Sequence, residues 1–165
     1  MAYTTIPKST VQFAPEIYTG NGSSKTISTL NFQPDWVWIK NRATTDMNVL
    51  FDVVRGATKR LASDSTAAEA TEAQDLTAFN TNGFTVSTSG AVNSNSVSYA
   101  SWNWKGGTTS GIATNGDTDI TPSSYSFNQT SGFSIIRYTG IGGQPIQIPH
   151  GLGVQPKMFI IKRLN

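Results

Sequence analysis

Cysteine is absent from the 165-residue chain, and histidine occurs once, at position 150. Without cysteine there is no disulfide framework, no thiol nucleophile, and no cysteine-ligated zinc or iron–sulfur site. Any catalytic triad or histidine-ligated metal site would have to rest on His150 alone. The composition therefore predicts that the protein is not an enzyme, with no catalytic residues, no metal and no cofactor.

Charge and long hydrophobic runs are also scarce. Charged residues make up 13% of the chain, about half the ~25% of an ordinary soluble domain. The net charge of +2 is too small to predict a nucleic-acid-binding surface. No run approaches the ~18 apolar residues that span a bilayer, and the N-terminal sequence lacks the pattern of a secretory signal. We therefore expect neither nucleic acid nor membrane as a partner.

Hydroxyl residues, glycine and aromatics are abundant instead. The chain has 18 Ser, 22 Thr and 15 Gly, and aromatics make up 10%, which suits short β-strands joined by many turns. Residues 96–104 alternate cleanly, with Tyr99, Ser101 and Asn103 on one face. Residues 62–78 favour a short helix or an ordered loop. The pattern predicts a mainly β fold, an antiparallel β-sandwich of jelly-roll type.

The chain contains an internal repeat. Residues 18–40 and 138–162 both begin Tyr-Thr-Gly and run through Gln-Pro into an apolar stretch. The first anchors are offset by 120 positions (138 − 18) and the second by 122 (155 − 33). The glycines of the turns allow positive φ. The apolar runs Trp36–Ile39 and Met158–Ile161 predict strands buried on both faces, or buried on one face with the other in an interface.

The repeat suggests a division of the chain into four segments. Residues 1–15 form a polar leader for attachment, 16–104 a β-sandwich unit, 105–131 a Gly/Ser/Thr-rich linker or surface excursion, and 132–165 the strands that start a second repeat. Either the chain is the N-terminal part of a longer repeat protein, or its last hairpin completes the sheet of the first unit. The first alternative is preferred, because a bare final hairpin is an unusual end for a repeat array.

Four tryptophans form two Trp-x-Trp pairs, Trp36 with Trp38 and Trp102 with Trp104. At strand spacing both members of a pair face the same side. Such pairs indicate either a core or subunit interface, where tryptophan buries a large area, or a platform that stacks on sugar rings. The core or interface is the preferred interpretation.

Other polar motifs are interpreted as local structure. His150 lies in a glycine-rich stretch and is expected to be a turn histidine bonded locally. Asp117 and Asp119 have the spacing of a calcium-loop fragment but lack the rest of the pattern, so a solvated Asx turn is preferred. The scattered carboxylates offer no recognisable glycosidase pair.

An ordered set of motifs resembles an uncharacterised domain that recurs in virion proteins of marine tailed bacteriophages, including cyanophages and pelagiphages. The similarity runs from about Tyr3 to Lys162, and the order of the motifs makes it specific. The motifs are residues 18–22 (YTGNG), 32–42 (FQPDWVWIKNR), 50–57 (LFDVVRGA), 76–80 (LTAFN) with 83–84 (GF), 99–104 (YASWNW) and 150–158 (HGLGVQPKM).

The resemblance implies a structural role in the virion, for a protein that is made in the host bacterial cytoplasm. The expected function is a tail fibre or fibre-like appendage; the alternatives are a head decoration or head-fibre protein, or a carbohydrate-binding module for host attachment. It implies other virion proteins of the tail or capsid as partners and a homo-oligomer, with a trimer favoured. A host-surface glycan is the further partner under the carbohydrate-binding alternative. The resemblance transfers no catalytic residues.

Overall fold

The computed structural model describes residues 9–143 and 145–165 of the chain. Most of the predicted leader, residues 1–8, lies outside the described residues, and residues 13–15 already belong to the first strand. A 3-10 turn over Ser9–Val11 precedes that strand, and one short helix, α1, spans Gly90–Asn93. The strands are β1 (Phe13–Thr19), β2 (Lys25–Ile27), β3 (Trp36–Asn41), β4 (Val49–Asp52), β5 (Lys59–Ala62), β6 (Ala70–Thr71), β7 (Leu76–Asn80), β8 (Gly83–Val86), β9 (Ser98–Trp104), β10 (Ser124–Asn128) and β11 (Phe133–Arg137).

The strands form three antiparallel sheets. The largest has six strands in the order β1-β9-β3-β4-β5-β6, so β9 lies between β1 and β3. A second sheet has the order β2-β8-β7, and β10 and β11 form a separate hairpin. The hairpin therefore does not extend the six-stranded sheet.

The hydrophobic core lies between the six-stranded and three-stranded sheets. From the larger sheet it takes inward-facing residues of β1, β3, β4 and β9, and from the smaller sheet residues of β2, β7 and β8. The prediction of a mainly β, antiparallel sandwich is confirmed. The core residues are Tyr18, Ile27, Leu30, Val37, Ile39, Val49, Phe51, Leu76, Phe84, Val86, Val92 and Tyr99.

Alternation along β3 and β9 decides which side chains enter this core. In β9, Tyr99, Ser101 and Asn103 are fully buried and the residues between them are half-buried. The alternation predicts the two faces, and the structure shows which of them is buried. In β3, Val37 and Ile39 are fully buried, whereas the tryptophans beside them are only half-buried. Of the two predictions for this apolar run, burial on one face alone is therefore the one that the structure shows.

The segment over residues 62–78 contains no α-helix. It is an ordered loop with the two-residue strand β6, followed by the start of β7. The helix α1 instead follows the serine at position 89, whose side chain accepts a hydrogen bond from the Ala91 N–H. Alanine and glutamate favour a helix between residues 64 and 74, but the antiparallel pairing of β6 with β5 takes precedence there.

The second copy of the repeat folds like the first only in part. β11 is the counterpart of β1 in the second copy, because it begins 120 residues later (133 − 13), the same offset as the Tyr-Thr-Gly anchors. Gly22 and Gly142 both have a φ of 68°. The run Met158–Ile161, the counterpart of β3, forms no strand, and its side chains are 49–79% exposed. The prediction of a buried strand is wrong here, because none of the described residues pairs with this run.

The structure also shows why the first copy of the repeat needs a glycine at position 20. A Cβ on Gly20 would lie 2.1 Å from the carbonyl oxygen of Ser94. A close approach of two backbone segments, and not a positive φ, therefore excludes a side chain at this position.

Candidate interaction surface

The four tryptophans lie together on the outer face of the six-stranded sheet. Trp36 is directly opposite Trp104, and Trp38 is opposite Trp102, across the β3–β9 pair. The Trp36 and Trp104 ring centroids are 5.2 Å apart, and those of Trp38 and Trp102 are 6.1 Å apart in an edge-to-face arrangement. Such cross-strand aromatic pairs stabilise the sheet beyond the area they bury.

Two phenylalanines extend this cluster. Phe13 of β1 lies 4.9 Å from Trp104, and Phe133 of β11 stacks on Trp36 at 5.5 Å and on Trp104 at 6.0 Å. We call Phe13, Phe133 and the four tryptophans the aromatic face. The tryptophan pattern alone did not predict the phenylalanines, but the repeat carries a usable signal: both precede a Tyr-Thr-Gly anchor by the same five positions.

A buried carboxylate fixes the hairpin beside the aromatic face. Asp35, which precedes β3, accepts a hydrogen bond from the Gly106 N–H at 2.9 Å and another from the Ser126 hydroxyl at 2.9 Å. Burial raises its pKa from the ordinary value of 3.8, and the two hydrogen bonds and Lys105 act in the opposite direction. Both carboxylate oxygens are occupied, so Asp35 holds the hairpin in place.

Asp35 also borders an open cleft of about 540 Å³, whose lining includes Lys105 and Tyr125. A carboxyl with a raised pKa in a cleft is a candidate general base. A function as general base is not favoured for Asp35, because the hydrogen bonds from Gly106 and Ser126 already occupy both of its carboxylate oxygens. The cleft is therefore interpreted as the seam between the hairpin and the sandwich.

The other polar motifs of the sequence are engaged in hydrogen bonds within the fold. His150 Nδ1 accepts the Leu152 N–H at 3.1 Å, beside an open cleft of about 480 Å³. Asn115 forms an Asx turn by accepting the Asp117 N–H at 3.1 Å, and Asp119 accepts the Gln147 N–H at 2.7 Å. The contacts of His150 and Asn115 match the local interpretation, whereas Asp119 bonds to Gln147, 28 positions away.

Neither a metal site nor a membrane span is found in the part of the chain that the structure describes. Within residues 9–143 and 145–165, no three Asp, Glu or His side chains are grouped so as to hold a metal ion. No helix in the same residues has the length and apolar character to cross a membrane.

Comparison with known families identifies the chain. The profile of a family described as a domain of unknown function (DUF7483) matches residues 8–165. The chain belongs to the DUF7483 family. No curated protein and no solved structure matches the chain.

The surface of this DUF7483 domain offers apolar area for packing against a partner. Its half-buried tryptophans and its exposed apolar run offer contact area, and Asp35, the buried carboxyl beside the aromatic face, has both oxygens engaged. Aromatic residues are enriched at the centres of protein interfaces.

The raised pKa of Asp35 predicts that the free energy of unfolding depends on pH. An acid whose pKa is higher in the folded than in the unfolded state favours folding below its unfolded value, near 3.8. That stabilisation is lost as the pH rises through the folded pKa. As the pH rises from below 3.8 through the pKa of folded Asp35, we expect wild type to lose stability relative to Asp35→Asn. Urea unfolding at several pH values measures the difference.

Asp117→Asn is the matched control for this measurement, because Asp117 is exposed. Its stability difference from wild type should stay nearly constant over the same pH range. A difference between wild type and Asp35→Asn that does not change with pH would contradict the assignment.

Proposed function

We propose that this chain is a non-enzymatic structural component of a tailed-bacteriophage virion, a tail fibre or fibre-like appendage protein. The ordered set of motifs, which resembles virion proteins of marine tailed phages, supports the proposal from the sequence. One observation supports it from the structure: the run Met158–Ile161 leaves four large apolar side chains 49–79% exposed. A soluble protein that functions alone rarely keeps such a run in water.

The aromatic face supports an assembly role in a second way. Phe133 stacks on Trp36 and Trp104 but not on Trp38 or Trp102, and all four tryptophans are still half-buried. Partners from the tail or capsid, or further copies of the chain, would bury this remaining surface. A homo-oligomer is part of the proposal, with a trimer as the favoured state.

Attachment to a host-surface glycan is the second candidate function, because Trp38 and Trp102 retain exposed ring area. Their rings meet at 67°, so these two do not form one flat platform. The rings of the Trp36–Trp38 pair lie at 22° to each other, but Phe133 already stacks on Trp36. Packing against protein is therefore the preferred use of the pair. A glycan array that binds wild type and loses the signal with Trp102→Ala would favour the carbohydrate-binding function.

Localisation on purified virions tests the structural role directly. Gold-labelled antibodies against residues 10–165 should label the tail or its base in electron micrographs. Regular label over the head would favour a head decoration or head-fibre protein instead. A structural role would be contradicted if the protein is present in the lysate but the intact particles take no label.

A further inference from the structure

Asparagine is followed by glycine at three places in the chain, residues 21–22, 82–83 and 115–116. A glycine has no Cβ to shield its own backbone nitrogen. That nitrogen can therefore attack the side-chain carbonyl carbon of the asparagine before it and close a succinimide ring. Whether the ring closes in the folded protein depends on how firmly the fold holds each pair.

The first pair is held by the turn of the first repeat copy. The Gly22 N–H donates to the Asn93 carbonyl at 2.9 Å. The Asn21 side-chain oxygen accepts the Ser23 N–H and a side-chain N–H of Asn93, each at 3.0 Å. The nitrogen that would attack is already a hydrogen-bond donor, so ring closure would break a contact of the fold.

The second pair has no room for the ring. Gly83 is buried as the first residue of β8 and pairs with Asn80 of β7. A Cβ at this glycine would lie 1.8 Å from the carbonyl oxygen of Ile27. The Asn82 side-chain N–H donates to the Ser28 carbonyl at 3.1 Å, which holds the asparagine in place as well.

The third pair is free of both constraints. Asn115 and Gly116 are exposed, and a Cβ at Gly116 would meet no atom within 4 Å. Among the described residues, neither the Gly116 N–H nor the Asn115 side-chain NH₂ donates a hydrogen bond. The attacking nitrogen and the leaving group are therefore both available.

The turn around Asn115 also activates its side-chain carbonyl group. The Asn115 Oδ1 atom accepts the Asp117 N–H and the Thr118 hydroxyl, each at 3.1 Å. Negative charge develops on this oxygen when a nitrogen attacks the carbon, and donors already aimed at the oxygen stabilise that charge. The Thr118 N–H closes the turn by donating to the Asn115 backbone carbonyl at 3.1 Å.

We infer that Asn115 is a site of spontaneous deamidation in the folded protein, and that the fold protects the other two Asn-Gly pairs. A bond forms between the Gly116 nitrogen and the Asn115 Cγ, and the bond from Cγ to Nδ2 breaks. The side-chain nitrogen leaves as ammonia and takes the proton of the Gly116 N–H. Water then opens the ring at either carbonyl, which gives aspartate or isoaspartate.

The modification changes both charge and backbone in one loop. A carboxyl group at this position is ionised at neutral pH, so the net charge falls from +2 to +1 (2 − 1). The new carboxylate lies at the open cleft that Asn115 lines together with His150. Isoaspartate also lengthens the main chain, which disrupts the hydrogen bond from the Thr118 N–H.

Peptide mapping of the 165-residue chain tests the inference. The folded chain is incubated in mildly alkaline buffer, which favours removal of the Gly116 N–H proton, and the same chain is incubated unfolded in guanidinium chloride. We expect modification at Asn115 alone in the folded chain and at all three asparagines in the unfolded chain. Cation exchange separates the product by its lost positive charge, and an isoaspartate-specific methyltransferase detects the isomer.

Two variants of Thr118 test the activation. Thr118→Val removes the hydroxyl that donates to the Asn115 Oδ1 atom, and Thr118→Ser is the matched control that keeps it. The valine variant should deamidate about 2- to 10-fold more slowly than the serine variant, the rate equivalent of one net hydrogen bond. Equal unfolding midpoints of the two variants show that the fold is the same.

Three results would overturn the inference. The first is a folded chain that stays unmodified at Asn115 while the unfolded chain reacts. The second is modification of Asn21 or Asn82 as fast as that of Asn115 in the folded chain, and the third is a Thr118→Val variant no slower than Thr118→Ser. None of these measurements involves virions, so the inference and the proposed structural role can fail separately.

Discussion

Arg55→Met is expected to destabilise the fold by about 3–5 kcal/mol, the usual cost of removing one partner from a buried ion pair. The Arg55 side chain is 6% exposed, and its Nε lies 2.6 Å from Asp52, which is 9% exposed. The same guanidinium reaches Glu69 at 3.3 Å and donates to the carbonyl oxygens of Lys59 and Leu50. Its loss leaves a buried carboxylate without a counter-charge and two carbonyls without their donor.

Urea unfolding measures this effect, with Arg42→Met as the matched control. Arg42 is exposed, and among the described residues its side chain donates only to Ser98, at 2.8 Å, so its loss should change stability by no more than ~0.5 kcal/mol. The double variant Asp52→Asn/Arg55→Met should recover part of the loss, because no buried charge remains unpaired. A loss below about 1 kcal/mol for Arg55→Met would contradict the network.

Asn93→Ala is expected to cost about 1–3 kcal/mol, because it removes a buried amide together with its hydrogen bonds to Asn21 and Ser23, which are exposed, and to the half-buried Ser87. The Asn93 side chain is fully buried. It accepts the Asn21 N–H at 3.0 Å, and its two side-chain N–H groups are shared among three acceptors: the Asn21 side chain at 3.0 Å, the Ser87 carbonyl at 2.6 Å and the Ser23 carbonyl. One amide thereby ties the turn of the first repeat copy to the end of β8 and to α1.

Asn95→Ala is the control for this substitution. Asn95 lies two residues further on and is exposed, so its replacement should leave the unfolding midpoint nearly unchanged. Hydrogen exchange should also report the difference, with the amides of residues 21–23 losing protection in Asn93→Ala. Equal midpoints for the two variants would show that the turn is held by other contacts.

The sequence predicts the sandwich and the faces of its strands because those features depend on local periodicity. The alternation of residues 96–104 places Tyr99 and Trp102 on opposite faces, and the structure agrees. The alternation does not say which of the two faces enters the core. The two Trp-x-Trp pairs are likewise brought to one face. What the pattern alone leaves open is whether that second face is covered, which depends on the distant Phe133.

The contacts that hold the fold together could not be predicted in the same way. Arg55 meets Glu69 across 14 positions, Asn93 meets Asn21 across 72, and Ser126 meets Asp35 across 91. No spacing rule connects such residues before the topology is known. The run Met158–Ile161 shows the converse limit: a strand-like composition forms a strand only where another strand is available to pair with it.

The position of β9 has a consequence for the order in which the protein can fold during synthesis. β9 separates β1 from β3 in space, yet its pairing with β1 joins residues 79 to 91 positions apart (98 − 19 and 104 − 13). At the ribosome's ~5–20 residues per second, Ser98 is added roughly 3–12 s after Trp36. During that interval β1 and β3 lack their shared neighbour, and the tryptophans of β3 are open to other chains. Of the six strands of this sheet, the interior strand β9 is the last to be synthesised, so closure of the sheet is a late and slow step, as expected of a fold dominated by distant pairings.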